Sequence, residues 1–207
     1  MKKIISIISI VAILLSFCAC GTEKSNSDDS NKQTVETTTN SQGINNTVNN
    51  TNKTQKALTE EEIKTALTPE GFSFQEGKMG SSWNTYWSED EYKSCITADR
   101  DKEVFVIYAT FESNEKAIEE RNKLWESTKN YKIEEFSKTY KTYLEEYPTL
   151  SLEIPEEKGK NYEIYKLFIQ PKKSPCDVLI RIDNSLLVIN GRVSYEDTMN
   201  VLSKLGF

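Results

Sequence analysis

The sequence predicts one α+β domain with a largely antiparallel sheet over residues 57–207, preceded by segments that do not join its core. Three observations carry that prediction. Residues 104–111 and 186–190 are apolar runs rich in β-branched and aromatic side chains and bounded by polar turns, as strands are. Other stretches repeat apolar residues at helical spacing behind a Ser or Thr cap. The order is one helix, three strands, two helices, three strands and one helix, so strands group beside strands instead of alternating with helices as in a parallel sheet.

At the N-terminus Lys2 and Lys3 form a basic region, and residues 4–17 run on as apolar and small side chains without a charge. That run is shorter than the roughly 20 residues a bilayer span needs, and it suits the core of a signal peptide. Residues 14–21, Leu-Leu-Ser-Phe-Cys-Ala-Cys-Gly, resemble the lipobox of bacterial lipoprotein precursors. The resemblance covers the first 21 residues and implies that 1–19 are a signal peptide, that Cys20 receives a diacylglyceryl group, and that the mature chain begins there. Cys20 has the small Ala19 before it and Gly21 after it, whereas Cys18 follows the bulky Phe17. An ordinary secretory signal cut near Ala19 and an uncleaved N-terminal anchor are the alternatives. Two acyl chains would contribute on the order of 20 kcal/mol of membrane partitioning at about 0.8 kcal/mol per methylene, so the implied partner is the cell membrane, approached from its outer face.

Residues 20–56 are expected to form a disordered tether behind that anchor. From Thr22 onward Ser, Thr, Asn, Gln and Lys dominate, and Val35, Ile44 and Val48 are the only sizeable apolar side chains. Such a composition buries too little surface to offset the entropy of ordering the chain. As a free coil it would have an end-to-end distance of roughly 30–36 Å. A leash of this kind lifts a domain into a surrounding wall layer, where a wall polymer or a surface protein is the expected partner.

Charge narrows the partners further. Signal and tether hold six of the 26 basic and four of the 32 acidic residues, leaving 20 against 28 in residues 58–207. An acidic domain argues against nucleic acid and anionic membrane surfaces as partners.

Within the domain, Thr59 followed by Glu62 is a capping-box pattern, and Ile63, Ala66 and Leu67 form a short helical stripe that Pro69 and Gly71 end. Residues 83–87 and 91–98 read as strands, residues 99–102 as a polar turn, and residues 104–111 as the next strand. Ser113 caps a helix whose inner face carries Ala117, Ile118, Arg121, Leu124 and Trp125, and a second helix follows a break at Asn130. Residues 155–160 read as a charged loop and 162–169 as a strand. Residues 177–182 and 186–190 make a hairpin around Asp183 and Asn184, and Ser194 caps the last helix.

A shift of 81 residues lays Cys95 on Cys176, Arg100 on Arg181, Ser113 on Ser194 and Leu124 on Leu205 without a gap. The expectation is two strand-hairpin-helix pseudo-repeats in one antiparallel sheet.

Chemistry is bounded first by the absence of histidine, which removes the commonest general base and the commonest zinc ligand. Ser113-Asn114-Glu115-Lys116 matches Ser-x-x-Lys, but no Lys-Thr-Gly or Ser-Asp-Asn accompanies it and a helix cap accounts for the serine. Asp99 and Asp101 lack the further oxygen ligands of a calcium loop. No catalytic residue, metal site or cofactor is expected on these grounds. Trp83, Tyr86 and Trp87 are the candidate ligand platform, since exposed aromatics in a row stack on sugar rings, with core packing as the competing role. Cys95 and Cys176 either form a disulfide, as an exported domain with an even count permits, or remain two separate buried thiols. The functional expectation is an extracytoplasmic lipoprotein that binds a partner. The alternative is a hydrolase of wall polymers working through carboxylate pairs such as Glu145 with Glu146 or Glu156 with Glu157.

Overall fold

A computed structural model describes residues 34–40, 43–76, 91–143, 151–170, 176–191 and 194–207, and within it residues 31–207 form one compact unit. Cys20, the aromatic residues Trp83, Tyr86 and Trp87, the strand expected at 83–87, and Glu145 and Glu146 lie outside the described residues.

The described elements are the strands β1 (Thr34–Asn40) and β2 (Gly43–Asn50), the helix α1 (Glu60–Leu67), the strands β3 (Ser73–Glu76), β4 (Ser94–Arg100) and β5 (Val104–Thr110), the helix α2 (Asn114–Tyr143), the strands β6 (Ser151–Gly159), β7 (Tyr162–Gln170), β8 (Cys176–Ile182) and β9 (Ser185–Gly191), and the helix α3 (Tyr195–Lys204). The nine strands form one sheet in the order β1-β2-β6-β7-β8-β9-β5-β4-β3. Every neighbouring pair is antiparallel except β2 with β6. The expected single α+β domain with a largely antiparallel sheet is therefore what the chain builds.

Helices cover both faces of the sheet. Ile63 and Leu67 of α1 and Val201, Leu202 and Leu205 of α3 pack on one face with Val106, Val178, Ile180 and Ile189. Ala117, Leu124 and Trp125 of α2 pack on the other with Ile107, Leu179, Leu186 and Val188. Alternate residues of β5, β8 and β9 thus enter different cores, which is why these strands read as unbroken apolar runs. α1 starts with the expected capping box: Glu62 N donates to Thr59 Oγ1 and Thr59 N donates to Glu62 Oε2. Gly71 ends the following 3₁₀ turn at φ 85°, a conformation that favours glycine. Tyr108 then pins the approach to α1 by donating its hydroxyl to the Leu58 carbonyl.

Four expectations are corrected. Residues 34–40 and 43–50 are not a disordered tether: they pair as antiparallel strands that extend the sheet through β6. Backbone pairing needs no apolar side chain, so a Thr- and Asn-rich segment can occupy an available sheet edge despite its composition. Residues 155–160 are not a loop, since β6 runs to Gly159 and carries Pro155 inside it. The two helices expected around Asn130 are one helix of 30 residues. A single Asn costs only about 0.5 kcal/mol of helix propensity, and the ion pairs Lys129–Glu126 and Lys132–Glu135 support the turns on either side of it.

The fourth correction concerns the repeat. The hairpins β4–β5 and β8–β9 do lie side by side through β5 and β9. The first closes on the three residues between Arg100 and Val104, the second on the two between Ile182 and Ser185. The ungapped shift therefore slips the first strands by one residue, and one residue turns every side chain to the other face. Arg100 lies on the α3 side, 2.8 Å from Asp197, whereas Arg181 lies on the α2 side against Asn114. Moreover α2 and α3 cover opposite faces, which the two-fold relating neighbouring antiparallel hairpins cannot produce. The three-element repeat does not hold.

Candidate functional site

Buried charged side chains lie at three places on the α2 side of the sheet, two on strands and one on α2 itself. The first is built from strands β7 and β8 and the first turns of α2. Arg181 Nε lies 2.8 Å from Glu163 Oε2, and Arg121 Nη2 reaches the same oxygen at 2.8 Å. Arg121 Nη2 also donates to Glu163 Oε1 at 3.1 Å and Nη1 to the Tyr165 hydroxyl at 2.6 Å. Arg181 Nη1 donates to Asn114 Oδ1 and to the Asp183 carbonyl. Arg181 is 6% exposed, so desolvation is large and the pairing must be close to offset it. Burial pushes the Tyr165 hydroxyl up, with the Glu163 charge adding and Arg121 opposing. Both oxygens of Glu163 are engaged by guanidinium groups, an arrangement that fixes α2 to the sheet. Trp125 stacks beside it at 4.9 Å from Tyr165.

The second place is Asp177 on β8. Asn190 donates to its Oδ1, while Lys132 Nζ stands 3.7 Å from Oδ2, an ion-pair distance too long for a hydrogen bond. Burial raises its carboxyl, with Lys132 as the main opposing influence. The third is Glu120, 2% exposed and ion-paired to Lys116 at 2.7 Å and Lys123 at 2.9 Å.

A separate polar cluster joins the chain ahead of α1 to the β6–β7 turn. Asn50 Nδ2, Lys53 Nζ and the Tyr162 hydroxyl all donate to Glu157 Oε1, at 3.2, 3.3 and 2.6 Å. Gln55 N donates to Asn161 Oδ1 and Asn161 Nδ2 to the Gln55 carbonyl, at 3.0 and 2.9 Å. Lys160 N donates to the Lys53 carbonyl at 2.8 Å, and Lys53 Nζ lies over the Tyr162 ring. Burial works to raise the Glu157 carboxyl, but the hydrogen bonds from Tyr162, Lys53 and Asn50 outweigh it and hold the group below its usual range. The folded unit thus reaches back at least to Asn50, ahead of the boundary expected at residue 57.

Several sequence candidates take structural positions. Ser113 caps α2 by accepting from Lys116 N at 3.2 Å, and Lys116 Nζ turns to Glu120 and Glu119 instead of to the serine hydroxyl. Glu156 and Glu157 are neighbours on β6 and so point to opposite faces, which prevents them from facing each other across a cleft. Asp99 sits within β4 and Asp101 in the turn after it. Among the described residues no group of three or more Cys, Asp or Glu gathers where it could hold a metal ion.

Cys95 and Cys176 are free thiols. Cys95 packs toward the α2 core and Cys176 lies in the opposite one, and the strand order puts β5 and β9 between β4 and β8. Three strand spacings are about 14 Å, far beyond the 7 Å that a disulfide tolerates. The strand order thus sets the two thiols too far apart to bridge, with Cys176 buried and Cys95 half-buried. Burial pushes Cys95 up to about 11 and Cys176 up to about 12, so neither is a nucleophile at neutral pH.

Sequence reading missed both polar clusters. Asp177, Glu163 and Arg181 stand among apolar strand residues, and that misfit was the available signal for the first. The second is assembled from an Asn-rich stretch that reads as linker.

No protein-family model matches the chain, and no curated protein matches it. Among solved structures it is similar to the crystal structure of the extracellular domain of PknH from Mycobacterium tuberculosis, at 10% identity and a TM-score of 0.32, over 72% of this chain and 89% of that one. At that score two chains need not share a fold. No described helix is long and apolar enough to cross a membrane.

Proposed function

We propose that the protein is a lipoprotein held by Cys20 at the outer face of the cell membrane, and that its α+β domain is a binding module acting at the surface or in the wall layer. One observation carries the reading: Lys2 and Lys3, then fifteen uncharged residues, then Ala19-Cys20-Gly21. A binding role is supported by the use made of the buried charges. Arg121, Arg181, Glu163 and Glu120 each hold α2 to the sheet or to itself, so these ionisable groups serve rigidity, the property a recognition scaffold needs. The acidic balance of the domain favours a neutral or cationic partner, and Trp83, Tyr86 and Trp87 are the aromatic side chains to test for sugar stacking.

The test has two arms. Detergent-phase partitioning of the wild-type protein and of Cys20→Ser in the producing cell should place the first with membranes and release the second. Cosedimentation of the domain from Asn31 onward with purified wall polymers and with surface-protein extracts should retain it, and Trp83→Ala with Trp87→Ala should weaken that retention. Cleavage of wall polymer by the domain would overturn the binding role.

A further inference from the structure

The sheet ends on β1 at one side and on β3 at the other. An edge strand presents N–H and C=O groups that have no partner within the sheet, and proteins protect such edges with short strands, charges, prolines or bulges. β3 is protected in this way: it has four residues, and its Glu76 is ion-paired to Lys64 at 3.3 Å. β1 is not. It has seven residues, pairs with β2 in an unbroken register, and holds no proline and no Lys or Arg, Glu36 being its single charge. Five of the seven are Thr or Val, β-branched residues that favour strand pairing. Among the described strands, none lies on the other side of β1.

Where the preceding chain joins the sheet decides what reaches that edge. Thr34, the first residue of β1, stands fourteen residues after Cys20, a span of at most about 50 Å. With Cys20 as the lipid-bearing residue, the edge is therefore held near the bilayer, and every other copy of the chain is confined to the same surface by the same length. A second copy is the partner that meets β1 at high effective concentration.

The strand is also complementary to itself. When two β1 strands run antiparallel about Thr37, each residue faces one whose number differs from its own by an even count. Because outward-pointing backbone groups recur at every second residue, those of one strand then meet those of the other. Thr37 lies opposite the partner's Thr37, Val35 opposite the partner's Thr39, Thr34 opposite the partner's Asn40, and Glu36 opposite the partner's Thr38. Like charges directly opposite each other destabilise a strand pair, whereas a Thr–Thr pair supports it, and this register avoids the first and gains the second. The arrangement is isologous, with its two-fold axis at Thr37. The two copies of Thr34 stand at opposite ends of the seam, about 20 Å apart, so both leashes reach one bilayer.

We propose that two anchored copies pair through β1 and join their sheets into one. The proposal rests on the reading of Cys20 for the confinement, and on the sheet edge for the pairing.

Disulfide trapping on the lipid-modified protein, purified from the producing cell and reconstituted in phosphatidylglycerol vesicles, tests this. Oxidised Thr37→Cys should give a covalent dimer, Val35→Cys alone should give little, and Val35→Cys mixed with Thr39→Cys should give it again. Equal trapping at Val35 and Thr37, or none at Thr37, would overturn the proposal. The wild type supplies a readout that needs no new cysteine: an increase of about tenfold in protein density on the vesicles should slow amide exchange in residues 34–40 several-fold, while β7 and β8 keep their rates. Exchange of residues 34–40 that ignores density would overturn the pairing even where a variant misfolds. Sedimentation with the vesicles reports on the anchor separately: protein that stays in solution yet traps at Thr37 refutes the role of Cys20 and not the pairing.

Discussion

The ring of Tyr162 occupies the space that a side chain at Gly159 would need: a Cβ there would fall 1.9 Å from Tyr162 Cε1 and 2.5 Å from Cδ1. Tyr162 is fully buried and its hydroxyl is bound by Glu157, so the ring cannot swing aside. Gly159→Ala should therefore destabilise the domain by about 1–3 kcal/mol through overpacking. Tyr162→Phe keeps the ring and loses the bond to a carboxylate, at about 1.5 kcal/mol. Urea unfolding of both variants measures this, and a neutral Gly159→Ala would mean the turn is looser than described.

The buried guanidinium pair makes a sharper prediction. Glu163→Gln leaves Arg121 and Arg181 facing each other without their counter-ion and should cost about 3 kcal/mol. Arg121→Gln removes the more exposed cation, keeps Arg181 with Glu163, and should cost clearly less. Equal losses in urea midpoint would show that the two arginines do not share the carboxylate.

Much of this architecture was legible in the sequence, and its failures have one cause. Strands β5, β8 and β9 and the caps Thr59, Ser113 and Ser194 could be read because apolar pattern and capping chemistry are local. β1, β2, β3 and β6 were not read as strands, because each is largely polar or charged and becomes a strand by pairing with a neighbouring strand. Thr34–Asn40 reads as linker for that reason. Likewise Asn50, Lys53, Glu157 and Asn161 meet across more than a hundred residues, and no spacing rule anticipates it.

Asp177 predicts a pH dependence. Burial raises its carboxyl above the ordinary 3.8, so the native state binds a proton more tightly than the unfolded chain. Its contribution to stability should then be greatest in acid and fall as pH rises from about 3.8 through the raised native value. Asp177→Asn should flatten that fall. If the wild type and the variant show parallel stability curves across that window, Lys132 holds the carboxylate ionised in the fold.

The thiols give a further check. With Cys95 and Cys176 pushed up to about 11 and about 12, native protein should leave both unmodified by maleimide at pH 7. Denatured, unreduced domain from Asn31 onward should titrate two thiols. Rapid native labelling would show that these strands open.

The lipid anchor is tested most directly by the mass of the N-terminal tryptic peptide of the membrane-bound protein, Cys20-Gly21-Thr22-Glu23-Lys24. The account predicts that this peptide begins at Cys20 and carries a diacylglyceryl thioether; an unmodified Cys20, or a peptide that still contains Ala19, would contradict it.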